Sequence, residues 1–262
     1  MFGLTKPKLP ISSEDKEWAD RSFVRLTSLL GAERLRKATV MLPTPESFPD
    51  PFDGSEGSLR TMFRRVARQM QVDPDDIELT LFVNSEDLTR DMAPFYSGKS
   101  SGAAGLYYHG PAERAHIAVK EGDLKDPLSL VASLAHEIGH IILLRPGLVK
   151  REESDMEPLN DLLTVFLGFG VFTANCAFRF EQHQSYDRQG WSARRQGYLS
   201  EQTFGYALAR FAYERGERKP KWASHLVTNV AGYFKQSAKW LHSRSEPRLL
   251  SDSAEGRQGP SA

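Results

Sequence analysis

Residues His136-Glu137-Ile138-Gly139-His140 read H-E-x-x-H. On a helix, residues four apart share a face, so His136 and His140 can point two imidazoles at one metal ion. Glu137 stands one step further round. It can reach a water on that metal but is poorly placed to join the histidines as a ligand. The spacing therefore offers two metal ligands and a general base within two turns, the parts needed for hydrolysis by an activated water. With seven His and 19 Glu in 262 residues, a shuffled chain would contain this pattern roughly once in a hundred. The match therefore carries weight.

The surrounding residues must place these groups. Asp126-Pro127 reads as a helix start, and Leu134, Ala135, Ile138, Gly139, Ile141 and Ile142 are all uncharged. The site therefore lies on a buried helix, which Arg145-Pro146-Gly147 ends. The plainer alternative is a pair of core histidines, each hydrogen-bonded through its ring nitrogens. A catalytic zinc needs a third protein ligand. After an acidic loop, Arg151 to Met156, a second apolar helix is expected from about Glu157, with Pro158 in its first turn. It is expected to continue past Cys176. Glu157 and Asp161 share a face of it. Glu157 is the expected third ligand, with Asp161 or Asp155 as fallback. Asp161 is expected behind the metal, accepting a hydrogen bond from a ligand histidine.

The pattern resembles the zincin metallopeptidases of the gluzincin type, in which H-E-x-x-H precedes a helix bearing E-x-x-x-D, as Glu157-x-x-x-Asp161 does here. It is also similar to the small ImmA/IrrE-type metallopeptidases, through Gly105-Leu106-Tyr107, His116-Ile117-Ala118-Val119 and Glu157-x-x-Asn160. The matched segment spans roughly 77 to 178. The metzincin pattern is absent, since its Gly and third His positions are Leu143 and Pro146. The aspzincin G-T-x-D is absent too, and the thermolysin-like Asn-Glu pair is replaced by Met156-Glu157. The resemblance implies one Zn2+ per chain, a peptide or protein substrate, and a substrate-pairing edge strand at 115–119.

The expected fold class is α+β, mainly helical, with a small mixed or antiparallel sheet packed on the H-E-x-x-H helix. Helical spacing marks 14–38, broken at Gly31, and 57–71; a Pro-rich connector spans 42–54. Ile77–Val83, 106–108 and 115–119 read as strands. The expected organisation is a flexible N-terminus (1–13), an N-terminal helical region (14–76), a zincin-like core (77–178), a C-terminal helical region (179–242) and a disordered tail (243–262). Candidate stabilisers of a developing oxyanion are Tyr206, His183, Arg210, Tyr107 and Tyr108. His116 reads as a surface residue. Gly98-Lys99-Ser100 is not a phosphate loop, because the required first glycine is Ala93.

The net charge is zero, which argues against bulk nucleic-acid binding. Twelve Lys and Arg against four Glu between Arg188 and Arg248 read as a solvated face opposing Glu152–Asp155. A second reading is a regulatory zinc protein acting on one partner, with a DNA-facing module near 199–218. Leu159–Phe178 is the nearest approach to a membrane span, but its Asn160, Asp161 and Asn175 argue against one. One cysteine and no apolar leader point to a cytoplasmic protein with no membrane partner.

Overall fold

The computed structural model describes residues 7–84, 104–107, 114–184 and 199–250, with 104–107 and 178–184 described as backbone only. Helices α1 (Ser13–Leu30) and α2 (Ala32–Arg36) are separated by Gly31, whose φ of 87° is costly for other residues. Ser12 caps α1 by accepting from the Asp15 N–H, and Ser55 caps α3 (Glu56–Gln69) in the same way through Ser58. The strands are β1 (Ile77–Phe82), β2 (Ala104–Tyr107) and β3 (Ala115–Lys120). Then follow α4 (Pro127–Leu144), α5 (Met156–Phe166), α6 (Gly170–Gln184), α7 (Glu201–Glu214) and α8 (Thr228–Ser243). The fold is α+β and mainly helical.

The sheet order is β1-β3-β2, with β1 and β3 parallel and β2 antiparallel to β3. The sheet is therefore mixed. Strand 115–119, expected at the edge, is the central strand. Ile117-Ala118-Val119 are all buried, as befits a strand covered on both faces. Among the described residues the edges are β1 and β2.

Helix α4 is the hub. Every residue from Leu130 to Leu143 is buried, and α4 packs against α3, α5, α6 and β2. It is long and apolar enough to cross a membrane, but 78% of it is buried inside the protein, so its apolar surface is spent on neighbouring elements. The stretch expected as one helix through 178 is instead two. Gly168 separates α5 from α6 at a φ of 92°, and a Cβ there would lie 2.2 Å from the Thr39 carbonyl oxygen. The Met41 N–H donates to the Gly168 carbonyl at 2.9 Å. The connector after α2 is thus wedged into the break.

Two expectations about the chain ends are corrected. Leu9 and Ile11 pack on the core, and the Lys8 carbonyl accepts from Gln236 at 2.9 Å. Of the expected flexible start, residues 7–13 are therefore docked. Residues 244–250 are docked as well. The Glu214 carboxylate accepts from the N–H groups of Leu249 and Leu250, Arg210 donates to the Pro247 carbonyl, and Leu250 is buried. The acidic loop meets α1 rather than the basic C-terminal helices, since Glu153 pairs with Arg25 and Asp155 accepts from Trp18. Helix α7 is buried along nearly its whole length and packs against α1, α5, α6 and α8.

Arg210 is the charged centre of that packing. Its Nε and Nη2 donate to the two oxygens of Asp20, each at 3.0 Å. Tyr206 donates to Asp20 Oδ1 at 2.7 Å, and Lys16 pairs with the same carboxylate. Burial alone would raise the Asp20 carboxyl, but Arg210, Lys16 and Tyr206 outweigh it and hold it below its ordinary value. Folding therefore favours the carboxylate. Its contribution is complete above the ordinary carboxylate range, about pH 4, and is lost as pH falls through the depressed value. Asp20→Ala is expected to cost about 3 kcal/mol at pH 7, because it leaves a buried guanidinium short of a partner. The gap to wild type should close toward pH 2, as read by urea denaturation at both pH values. A gap that does not change with pH would refute the assignment.

Candidate metal centre

Helices α4 and α5 meet at the H-E-x-x-H segment. Asp126 caps α4 by accepting from the Ser129 N–H at 3.2 Å, and Pro127 sits at its first position. One turn is thereby fixed in place, with His136 and His140 on the side that faces α5. The two rings stand nearly perpendicular, at 89°, with centroids 4.7 Å apart. His136 Nε2 lies 3.1 Å from His140 Nε2 and 3.1 Å from Glu157 Oε2. His140 Nε2 lies 3.4 Å from the same oxygen. His136 and His140 are buried, while the Glu157 side chain keeps 32% exposure.

Those distances test whether the residues suit a metal. Tetrahedral donors about 2 Å from zinc stand roughly 3.3 Å from one another. The three observed separations bracket that value. Protonation supports the same conclusion. His136 Nδ1 lies 3.0 Å from Asp161 Oδ1; with the proton on that nitrogen, Nε2 presents its lone pair to a metal. That lone pair faces a carboxylate oxygen and a second imidazole nitrogen. Such a triangle is repulsive unless a cation or shared protons lie within it. The site can bind a metal ion through His136, His140 and Glu157.

Burial on its own would raise the Glu157 carboxyl, but hydrogen bonds and charge from His136 and His140 outweigh it. They hold Glu157 well below the usual carboxylate range. It is therefore ionised, as a ligand must be. At Asp161 complete burial wins over His136 and the Leu199 N–H, and its carboxyl is pushed up. Both of its oxygens are engaged, Oδ1 by His136 and Oδ2 by the Leu199 N–H at 2.9 Å. Glu137 is buried on α4, one residue on from His136.

The fallback ligands are accounted for elsewhere. Asp161 lies behind His136, away from the Nε2 side. Asp155 precedes α5 and accepts from Trp18 Nε1 at 3.0 Å. His116 pairs with Glu78 across β1 and β3 at 3.4 Å. Tyr206 and Arg210, entertained as oxyanion stabilisers, are committed to Asp20 instead. His183 and Tyr107 lie on stretches described as backbone only, and Tyr108 lies outside the described residues.

Two features escaped the sequence reading. One is the Leu199 backbone N–H, which no side-chain pattern can reveal. The other is contact between Gly139 and Asn160, where a Cβ on Gly139 would lie 2.2 Å from Asn160 Oδ1. A signal for it existed, since a glycine inside an apolar helix costs about 1 kcal/mol relative to alanine and often marks a close approach. Comparison with known protein families, curated proteins and solved structures gives no match.

The assignment makes a direct prediction. Purified wild-type protein should carry about one divalent metal ion per chain, and His136→Ala and Glu157→Ala should carry far less. Asp155→Ala should keep the full complement. Elemental analysis checks this, and a full complement in Glu157→Ala would refute Glu157 as a ligand.

Proposed function

We propose that the chain is a zinc metallopeptidase of the zincin type. The observation that supports this best is the triangle of His136 Nε2, His140 Nε2 and Glu157 Oε2, set beside Glu137 on the same helix. The H-E-x-x-H and E-x-x-x-D resemblance points the same way. Two imidazoles and one carboxylate suit zinc, and three protein ligands leave a position for water. When bound, zinc supplies Lewis acidity toward a carbonyl oxygen and acidifies water.

The remaining work belongs to the chain. Glu137 is buried on α4, one residue on from His136. Its role is to take a proton from the attacking water and deliver it to the departing amine nitrogen. Asp161 holds the His136 ring in one tautomer and orientation through Nδ1. Thr164 fixes the backbone of Asp161, donating to its carbonyl at 2.7 Å.

An extended peptide needs main-chain partners. Among the described residues strand β2 is an edge of the sheet, and it packs beside α4. Its outer N–H and C=O groups suit backbone pairing. We assign the role of substrate-pairing strand to β2.

Glu137→Gln should retain zinc and lose about a hundred-fold or more in peptide-bond turnover. Zinc-loaded wild type and variant, incubated with a peptide library and read by mass spectrometry, check this. Equal cleavage by the two proteins would refute Glu137 as the base. Zinc-loaded wild type that cleaves nothing in the library would count against the peptidase reading.

A further inference from the structure

Asn160 is a second buried group between α4 and α5 with no assigned role. It is 0% exposed. Its Nδ2 donates to the His136 carbonyl oxygen at 2.9 Å. In a helix that carbonyl also faces the N–H four residues on, here His140. The amide therefore engages the one helical turn that carries both histidines. Its Oδ1 has no hydrogen-bond partner and lies against Gly139, where a Cβ would fall 2.2 Å away. Any side chain at 139 would force the amide out or push the helices apart.

Leaving a buried amide oxygen unpaired is costly. A leucine of similar volume would fill the same space without that cost. The amide is therefore better explained by where it puts α5 than by packing alone. Glu157 lies three residues before Asn160 and Asp161 lies one after, so all three are fixed by the same short stretch of helix. A slip of one residue along α4 displaces α5 by about 1.5 Å. That is a large fraction of a metal–ligand bond of about 2 Å. The Gly139 notch and the His136 carbonyl together accept the amide at one register only.

We infer that Asn160 is a positioning residue for the metal centre. Through the Gly139 notch and the His136 carbonyl it sets the separation and register of the His136, His140 and Glu157 donors. The inference rests on the metal-site reading above. It concerns affinity and geometry of the site, not the chemistry of turnover.

The test uses the full-length chain and two probes, zinc by chelator competition and cobalt(II) by its visible d–d spectrum. The variants are Asn160→Ala, Gly139→Ala and the two combined, with Asn160→Ser in reserve should Asn160→Ala fail to fold. Asn160→Ala is expected to bind zinc about 10- to 100-fold more weakly and to shift the cobalt bands. Gly139→Ala should do the same in the wild-type background, but add little once Asn160 is already alanine. Wild-type affinity and an unchanged cobalt spectrum in folded Asn160→Ala or Asn160→Ser overturn the inference, even if thermal stability drops. A wild-type chain that binds neither metal overturns the underlying site reading instead, so the two failures are told apart by the wild-type titration.

Discussion

Three atoms with lone pairs face one another across the α4–α5 contact, and the rest of the architecture makes that contact unavoidable. In water such atoms would move apart or bind solvent. Here α4 is enclosed by α3, α5, α6 and β2, so the histidine rings have nowhere else to go. Glu157 keeps partial exposure, and the two buried imidazoles need partners for their ring nitrogens, which a positive charge among the three atoms would supply. The surrounding design serves that arrangement. Asp161 fixes one ring from behind, and the Asp126 cap with Pro127 fixes where the helix begins.

The C-terminal half is held by a different electrostatic device. Arg210 is 1% exposed yet charged, because Asp20 accepts from its Nε and Nη2 while Nη1 donates to Glu214 one turn away. Glu214 in turn accepts from the backbone of residues 249 and 250. The first helix, the seventh helix and the end of the described chain are thus joined through a few side chains. Asp161 connects the two systems, since its second oxygen anchors Leu199 immediately before the Ser200 cap of α7. One carboxylate touches both the His136 ring and the start of the C-terminal helical region.

Much of this was legible in the sequence. The paired histidines, Glu157 and Asp161 could be assigned from periodicity, because helical spacing converts directly into shared faces. Gly31 showed as a break, and the three strand positions showed as short apolar runs. What was not legible depends on contacts distant in sequence. Nothing near 115–119 reveals that β1 and β2 flank it on both sides. The break at Gly168 inside a stretch read as one apolar helix did not show, because the Thr39 carbonyl that fills its missing side chain lies far back in the chain. Residues 244–250 lack periodicity and so read as a tail. They are held by backbone N–H groups meeting a buried Glu214, a bond that composition does not encode. Tyr206 and Arg210 failed as site candidates for a related reason, since their partner Asp20 is remote in sequence.

The loop between α4 and α5 gives the metal centre a polymer-physics aspect. His140 and Glu157 are separated by a short stretch of chain, and an ion gripping both acts as a cross-link across it. Closing a loop of this size removes about 3 kcal/mol of chain entropy from the unfolded state, in addition to the bonds made in the folded one. Such a staple is local. It stiffens the helical hairpin of α4 and α5 and does little directly for the sheet or for α8. An ion held there would also reach the start of α7 through the Asp161 carboxylate and the Leu199 N–H, alongside the direct packing of α4 and α5 on α6 and α7.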